Sequence, residues 1–211
     1  PARIVGDPYD SESMGVQRTA TLLDLLADCE RSDMGVLCET RAEPGLTYRP
    51  RTSRYNTPIG LALTKAALTP GFRPTADDQT VHNDVTVTRR GGSSARAADE
   101  GHIVRHGRYD EQVTVDVESD GRLLILAEWL RHLGTIEAVR YPRISVDLHA
   151  DPDLIPAWLG CDIGSRITID RAPDSLPPGE IDLIIDGYTE TRDALELNSD
   201  LVCCPAGHYT I

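Results

Sequence analysis

Between residues 21 and 30 apolar side chains recur at Leu22, Leu25, Leu26 and Cys29, the three- and four-residue spacing of one helical face. Thr21 stands just before the run and Asp24 three positions later, so the pattern predicts a short amphipathic helix with Thr21 as its N-cap. Residues 35–39 and 46–49 are two short apolar-polar stretches around Ala42, Glu43, Pro44 and Gly45, a turn signal, and together predict a hairpin. Residues 50–80 interleave Pro, Thr, Arg and Asp around one apolar patch at 59–68, and read as a linker holding a strand or short helix.

From Val81 onward the period changes to two. Val85 and Val87, then Val113, Val115 and Val117, then Ile144, Val146 and Leu148 mark half-buried strands. Residues 91–108 between the first two are rich in Gly, Ser, Ala and Arg and read as a long mobile loop or a strand-edge excursion rather than a core element. Leu123, Leu126, Ala127, Leu130 and Leu133 form one helical face, with Asp120 as the expected cap and Gly134 just past the expected end. Residues 152–159 read as a short helix or turn, and 166–170, 181–186 and 194–204 as strands, with Pro173, Pro177, Pro178 and Gly179 punctuating the first connection. The expected fold class is α+β: a β-rich mixed sheet or partly closed barrel with a packed helix, plus a small helix-hairpin domain. The expected boundary falls near residue 80, with residues 1–80 forming the small domain (its helix and hairpin within about 10–50) and its linker, and 81–211 the β-rich domain. No fixed-period repeat or low-complexity tract is present.

Composition narrows the partners. Hydrophobic residues make up 40% of the 211 and charged residues 26%, enough apolar content to bury a core without staples. Aromatic residues are 5%, with one Phe, so Leu, Ile, Val and Ala must fill the interior and stacking platforms for bases are not expected. The net charge of −13 repels phosphate backbones and argues against a nucleic-acid-binding enzyme or an anionic-membrane binder. No apolar run approaches the roughly 20 residues that span a bilayer. The five cysteines, Cys29, Cys38, Cys161, Cys203 and Cys204, form an odd set without CxxC spacing and are expected as buried small residues, with Cys203 and Cys204 pointing to opposite faces of a strand. The chain opens on Pro1 rather than Met, which suggests a piece of something longer.

Several residue sets bear on chemistry. Asp147, His149 and Asp151 alternate as strand residues on one face would, a donor set suited to a divalent metal, yet Pro152 ends the strand at once. His102 and His106 are four apart, as in a helical ligand pair, but Ile103 stands where an HExxH motif has Glu. Ser93 and Ser94 follow Gly91 and Gly92 without a GxSxG elbow or a phosphate-loop Lys, as a flexible loop would. Asp77 and Asp78 could form the acid pair of a glycosidase, but sequence neighbours more commonly make a solvated turn, and no sugar-stacking aromatic lies beside them. Trp129 and Trp158 sit within apolar patterns and are expected in a core or interface. No catalytic, cofactor or metal residue is assigned, and no cofactor is expected.

The order of several strings carries a resemblance. Tyr55-Asn56-Thr57-Pro58-Ile59, residues 81–89 (VHNDVTVTR) leading into Gly91-Gly92-Ser93-Ser94, residues 142–148 (PRISVDL), Leu159-Gly160 with residues 164–169 (GSRITI), and Gly187-Tyr188-Thr189-Glu190 together resemble minor tail proteins of actinobacterial long-tailed siphophages. Residues 22–39 and 46–51 are similar to that family's inserted helix-hairpin unit. The resemblance implies a non-enzymatic tail hub at the distal end of the phage tail in the virion. Its implied partners are copies of itself in a ring of three, the tail tube or distal tail protein, the tape measure and receptor-binding proteins, without specific nucleic-acid binding or a membrane segment. An acidic wall would then keep passing DNA from sticking. The rival readings are a cell-wall hydrolase fragment using an acidic pair or the 147–151 cluster, and a carbohydrate-binding adhesion module.

Overall fold

A computed structural model describes residues 2–6, 10–69, 72, 75, 80–136, 139–170, 179–193 and 196–210. The chain divides into two compact units, Pro1–Ser53 with Asp77–Glu137, and Arg54–Ala76 with Ala138–Ile211. Each unit thus draws on both sides of the boundary expected near residue 80.

The first unit opens with β1 (Ala2–Ile4), followed by α1 (Leu22–Asp33), β2 (Val36–Glu39) and β3 (Leu46–Arg49). Thr21 caps α1 as its sequence predicts: Thr21 Oγ1 accepts from the Asp24 amide at 3.2 Å, and the Asp24 carboxylate accepts from the Thr21 amide at 3.3 Å. β2 and β3 form the expected antiparallel hairpin, and β1 adds to β3 in parallel. The register sets Ala2 opposite Leu46 and both Ile4 and Leu37 opposite Tyr48, so strand alternation gathers Ala2, Ile4, Leu37, Leu46 and Tyr48 on one face.

A second sheet in this unit runs in the order β6 (Ser94–Ala98), β5 (Asp84–Arg89), β7 (Asp110–Val115). β5 and β6 form a hairpin turning at Gly91, whose φ of +69° suits glycine, and β7 returns parallel to β5 after α2 (Glu100–His106). The stretch 91–108, expected as a mobile loop or strand-edge excursion, holds an edge strand and a helix. β6 presents Ala95 and Ala97 to the core instead of bulky side chains, which hides its alternation, and Asp99 starts α2 by accepting from the His102 amide at 2.8 Å. α3 (Leu123–Thr135) packs on β5 and β6 through Leu123, Leu126 and Ala127, closing a core with Val85, Val87, Val115 and Val117.

Two expectations for α3 are corrected. Asp120 does not cap the helix; it lies in a 3-10 turn at Asp120–Arg122 and its carboxylate takes Arg89 Nε and, at 3.3 Å, the Ser93 amide. Gly134 lies inside the helix, because the backbone of His82 passes where a side chain would stand.

In the second unit a five-stranded sheet runs β4 (Ile59–Thr64), β9 (Arg166–Asp170), β10 (Ile181–Arg192), β11 (Leu197–Pro205), β8 (Tyr141–Asp147), curled into a half-barrel. β4 and β9 are parallel and the other neighbours antiparallel. Leu61, Leu63, Ile144, Leu148, Ile167, Ile169, Leu183, Ile185 and Leu201 fill the concave side with Trp158 of α4 (Ile155–Gly160), which is 1% exposed. The apolar patch expected as a strand or short helix within a linker is the strand β4, and Leu61 and Leu63 make it an edge strand of this core. The chain is α+β, with a β-rich mixed sheet forming a partly closed barrel.

Candidate functional site

An open apolar feature of the first unit follows from how α1 sits on its sheet. The helix buries Asp28, Ser32 and Asp33, while Leu22 and Leu23 in its first turn are 70% and 73% exposed. The apolar sheet face is therefore only half covered. A cleft of about 480 Å³ remains between α1 and the sheet, walled by Ala2, Ile4, Met14, Leu22, Leu26, Cys29, Leu37 and Leu46. Glu12, Asp33 and Tyr48 line its polar side.

Those polar groups are fixed in place. Asp33 accepts from the Glu12 amide at 2.8 Å and from the Tyr48 hydroxyl at 2.6 Å. Burial, with the Asp33 carboxylate beside it, pushes the Tyr48 phenol well above its usual range. The Glu12 carboxylate takes Arg122 through Nε and Nη2, both at 2.7 Å, and Arg51 Nη2 at 3.4 Å. Asp28 is desolvated, which opposes its ionisation, yet Arg18, Arg31 and Arg90 surround it and hold its carboxyl below the usual range. Ser32 Oγ donates to the Asp28 carbonyl at 2.7 Å and accepts from the Asp116 amide at 2.8 Å, bonding α1 to the residue after β7. These bonds rigidify one end of the cleft and leave its apolar mouth open.

The second unit has its own titratable cluster. Arg54 lies 4.3 Å above the Tyr209 ring and 3.7 Å from the Asp186 carboxylate. Desolvation raises Asp186, Cys203, Cys204 and Tyr209, with Cys203 pushed up to about 12. These thiols are too poorly ionised to act as nucleophiles at neutral pH.

The described residues singled out in the sequence serve local roles. Asp147 ends β8, and its Oδ1 accepts from the amides of His149 and Ala150 at 2.9 and 3.1 Å, so the carboxylate closes the turn that follows. His102 and His106 stack on α2 with ring centroids 4.3 Å apart, and His102 Nδ1 lies 3.1 Å from Asn83 Nδ2. Among the described residues no group of three or more His, Cys, Asp or Glu is placed to hold a metal ion. Ser93 lies in the β5–β6 turn and Ser94 begins β6. Asp77 and Asp78 lie outside the described residues. Trp158 is a core residue whose indole N–H donates to Glu190 at 2.6 Å, and Trp129 packs under the Arg51 guanidinium, 5.5 Å from its ring centroid. The Glu12, Asp33, Tyr48 and Arg122 network carried no local signal, since Glu12 and Arg122 stand 110 positions apart.

No protein-family model matches the chain, and no curated protein matches it in sequence. Solved structures do. The 43 kDa tail protein of prophage MuSo2 from Shewanella oneidensis aligns over 99% of this chain with a TM-score of 0.60 at 13% identity, and a tail protein from Neisseria meningitidis MC58 over 100% with a TM-score of 0.58 at 13% identity. The chain has the fold of these two tail proteins. It spans 62% and 64% of the length of those two proteins, a little under two thirds of each. No described helix is long and apolar enough to cross a membrane.

Proposed function

We propose that the chain is a structural, non-enzymatic component of a phage tail, part of the distal hub where the tail tube meets the host-recognition parts. The observation that carries this reading is the alignment of essentially the whole chain, through both units, with two tail proteins, one of them from a prophage. The order of strings shared with minor tail proteins of actinobacterial siphophages supports the hub position. Its partners in this reading are copies of itself in a ring of three, the tail tube or distal tail protein, the tape measure and receptor-binding proteins. The net charge of −13 favours a wall that passing DNA does not adhere to.

The site chemistry favours assembly over hydrolysis. Asp147 is occupied in closing its turn, and Asp99 beside His102 is occupied in capping α2. Gold-labelled antibody fragments against the chain, imaged on intact phage, test the position. Label at the tip of the tail supports the hub; label along the tube or at the head sinks it. A zymogram on host cell walls tests the chemistry, and clearing by the purified chain would replace the structural reading with a hydrolase.

A further inference from the structure

We infer that the α1 cleft is a docking site for a second copy of this chain, which inserts the outward face of its α3. The inference deepens the hub reading and rests on it for the need to build a multi-copy assembly. Three observations in the first unit carry it.

The cleft is apolar, about 480 Å³, and unfilled by the described residues of its unit, with Leu22 70% and Ile4 53% exposed at its mouth. The same unit presents an apolar knob. Leu124 and Ile125 in the first turn of α3 are 49% and 45% exposed, because Leu123, Leu126 and Ala127 on the opposite side hold the core. A chain that carries a cleft and a knob of matching chemistry can join copies knob to cleft, whereas either feature alone would simply stay exposed to water.

The third observation is charge. Glu128 follows Leu124 by four positions and shares its helical face, so any group seated by the knob meets that carboxylate. Arg3 lies in the cleft wall between Ala2 and Ile4. Among the described residues neither the Arg3 nor the Glu128 side chain has an ion-pair or hydrogen-bond partner within the chain, unlike Glu12, Asp28 and Asp84, each of which takes at least two guanidiniums. Docking pairs the two. Arg122, just before α3, bonds Glu12 in the cleft wall, which fixes knob and cleft relative to each other before any partner arrives.

The test is light scattering with sedimentation on the purified full chain at about 50 µM, where a contact of micromolar strength is populated. Wild-type protein is expected as a multimer. Leu22→Asp and Leu124→Asp, both at exposed positions, should each weaken association tenfold or more, since docking would bury a carboxylate in the apolar cleft. Arg3→Glu and Glu128→Arg should each weaken it several-fold, and the double exchange should restore it, which a variant with a folding defect would not do. A monomeric wild-type chain, or a multimer indifferent to all four substitutions, overturns this docking. Neither result moves the gold label on the phage, so the hub reading is judged separately.

Discussion

Replacing Gly134 by Ala tests how closely α3 approaches the chain before β5. In an open helix interior this change stabilises by about 1 kcal/mol, because Ala loses less backbone entropy and leaves less backbone exposed. At Gly134 an added Cβ would lie 2.4 Å from the His82 carbonyl oxygen, 2.6 Å from its amide nitrogen and 2.8 Å from its Cβ. Carbon–oxygen contacts settle at about 3.3 Å or beyond, so the two segments must separate by about 1 Å. The neighbour that has to give is backbone. His82 donates to the Gly134 carbonyl at 3.1 Å, and the next residue, Asn83, is fully buried, donating to the Gly107 carbonyl at 2.7 Å and accepting from the Tyr109 amide at 2.8 Å. Overpacking of this kind costs about 2–3 kcal/mol, and subtracting the helix gain leaves a net loss of about 1–2 kcal/mol.

Hydrogen exchange read by mass spectrometry on peptides of α3 and β5 is the assay, because it reports this unit by itself. Protection there should fall about 5- to 30-fold. Gly121→Ala is the control: the nearest atom to its added Cβ is Ser119 Oγ at 3.7 Å, an ordinary contact, so protection should barely change. Unchanged or increased protection in Gly134→Ala would refute the close approach and return Gly134 to the role of a simple helix terminator.

Thr21→Ala removes the Oγ1 that accepts from the Asp24 amide while leaving the backbone half of the α1 capping box, and should cost about 1 kcal/mol, seen as faster exchange in the first turn of that helix. Tyr48→Phe removes the hydroxyl that donates to Asp33 and should cost about 1–2 kcal/mol at neutral pH in a denaturant titration. Because the folded Tyr48 phenol ionises above its unfolded value of about 10, its contribution is complete below that pH and is lost as pH rises towards the folded value. Tyr141 and Tyr209 are raised in the same direction, so wild-type stability should fall above pH of about 10, and less steeply in Tyr48→Phe. Cys203 should resist alkylation in the native protein and react fully on denaturation; native labelling at the unfolded rate would contradict its burial.

Elements were readable from sequence where side-chain size exposed the period. Val85 and Val87, Ile144 and Val146, and Ile181 and Leu183 alternate with bulky residues, and the strands they mark are present. β6 alternates with alanine and β1 has three residues, too little contrast and too little length for a period to show. Gly134 illustrates a different loss: one letter serves both a helix stop and a close backbone approach, and only the path of His82 distinguishes them. The apolar face of α1 was legible as Leu22, Leu25, Leu26 and Cys29. That it stays half uncovered depends on the size of the sheet beneath it, and the third strand of that sheet is the one sequence periodicity misses. The polar side of the cleft was illegible for a related reason, since its bonds join residues far apart in the chain.

The distribution of charge sets a last condition on assembly. Glu12, Asp28 and Asp84 are buried and between them engage seven arginines: Arg51 and Arg122, then Arg18, Arg31 and Arg90, then Arg96 and Arg108. Of 21 basic and 34 acidic residues, 14 basic ones are left to face 31 acidic ones, so the rest of the molecule is more acidic relative to its bases than the composition implies. Two copies therefore repel at long range, and their contact must draw its strength from apolar area, with Arg3 and Glu128 supplying orientation rather than most of the affinity. Salt screens the many-charge repulsion more than it weakens one short pair. Self-association should accordingly strengthen as ionic strength rises from about 0.05 to 0.5 M, over which the screening length shrinks several-fold. Weakening over that range would mean that ion pairs dominate the contact, and would refute an interface built on the apolar cleft.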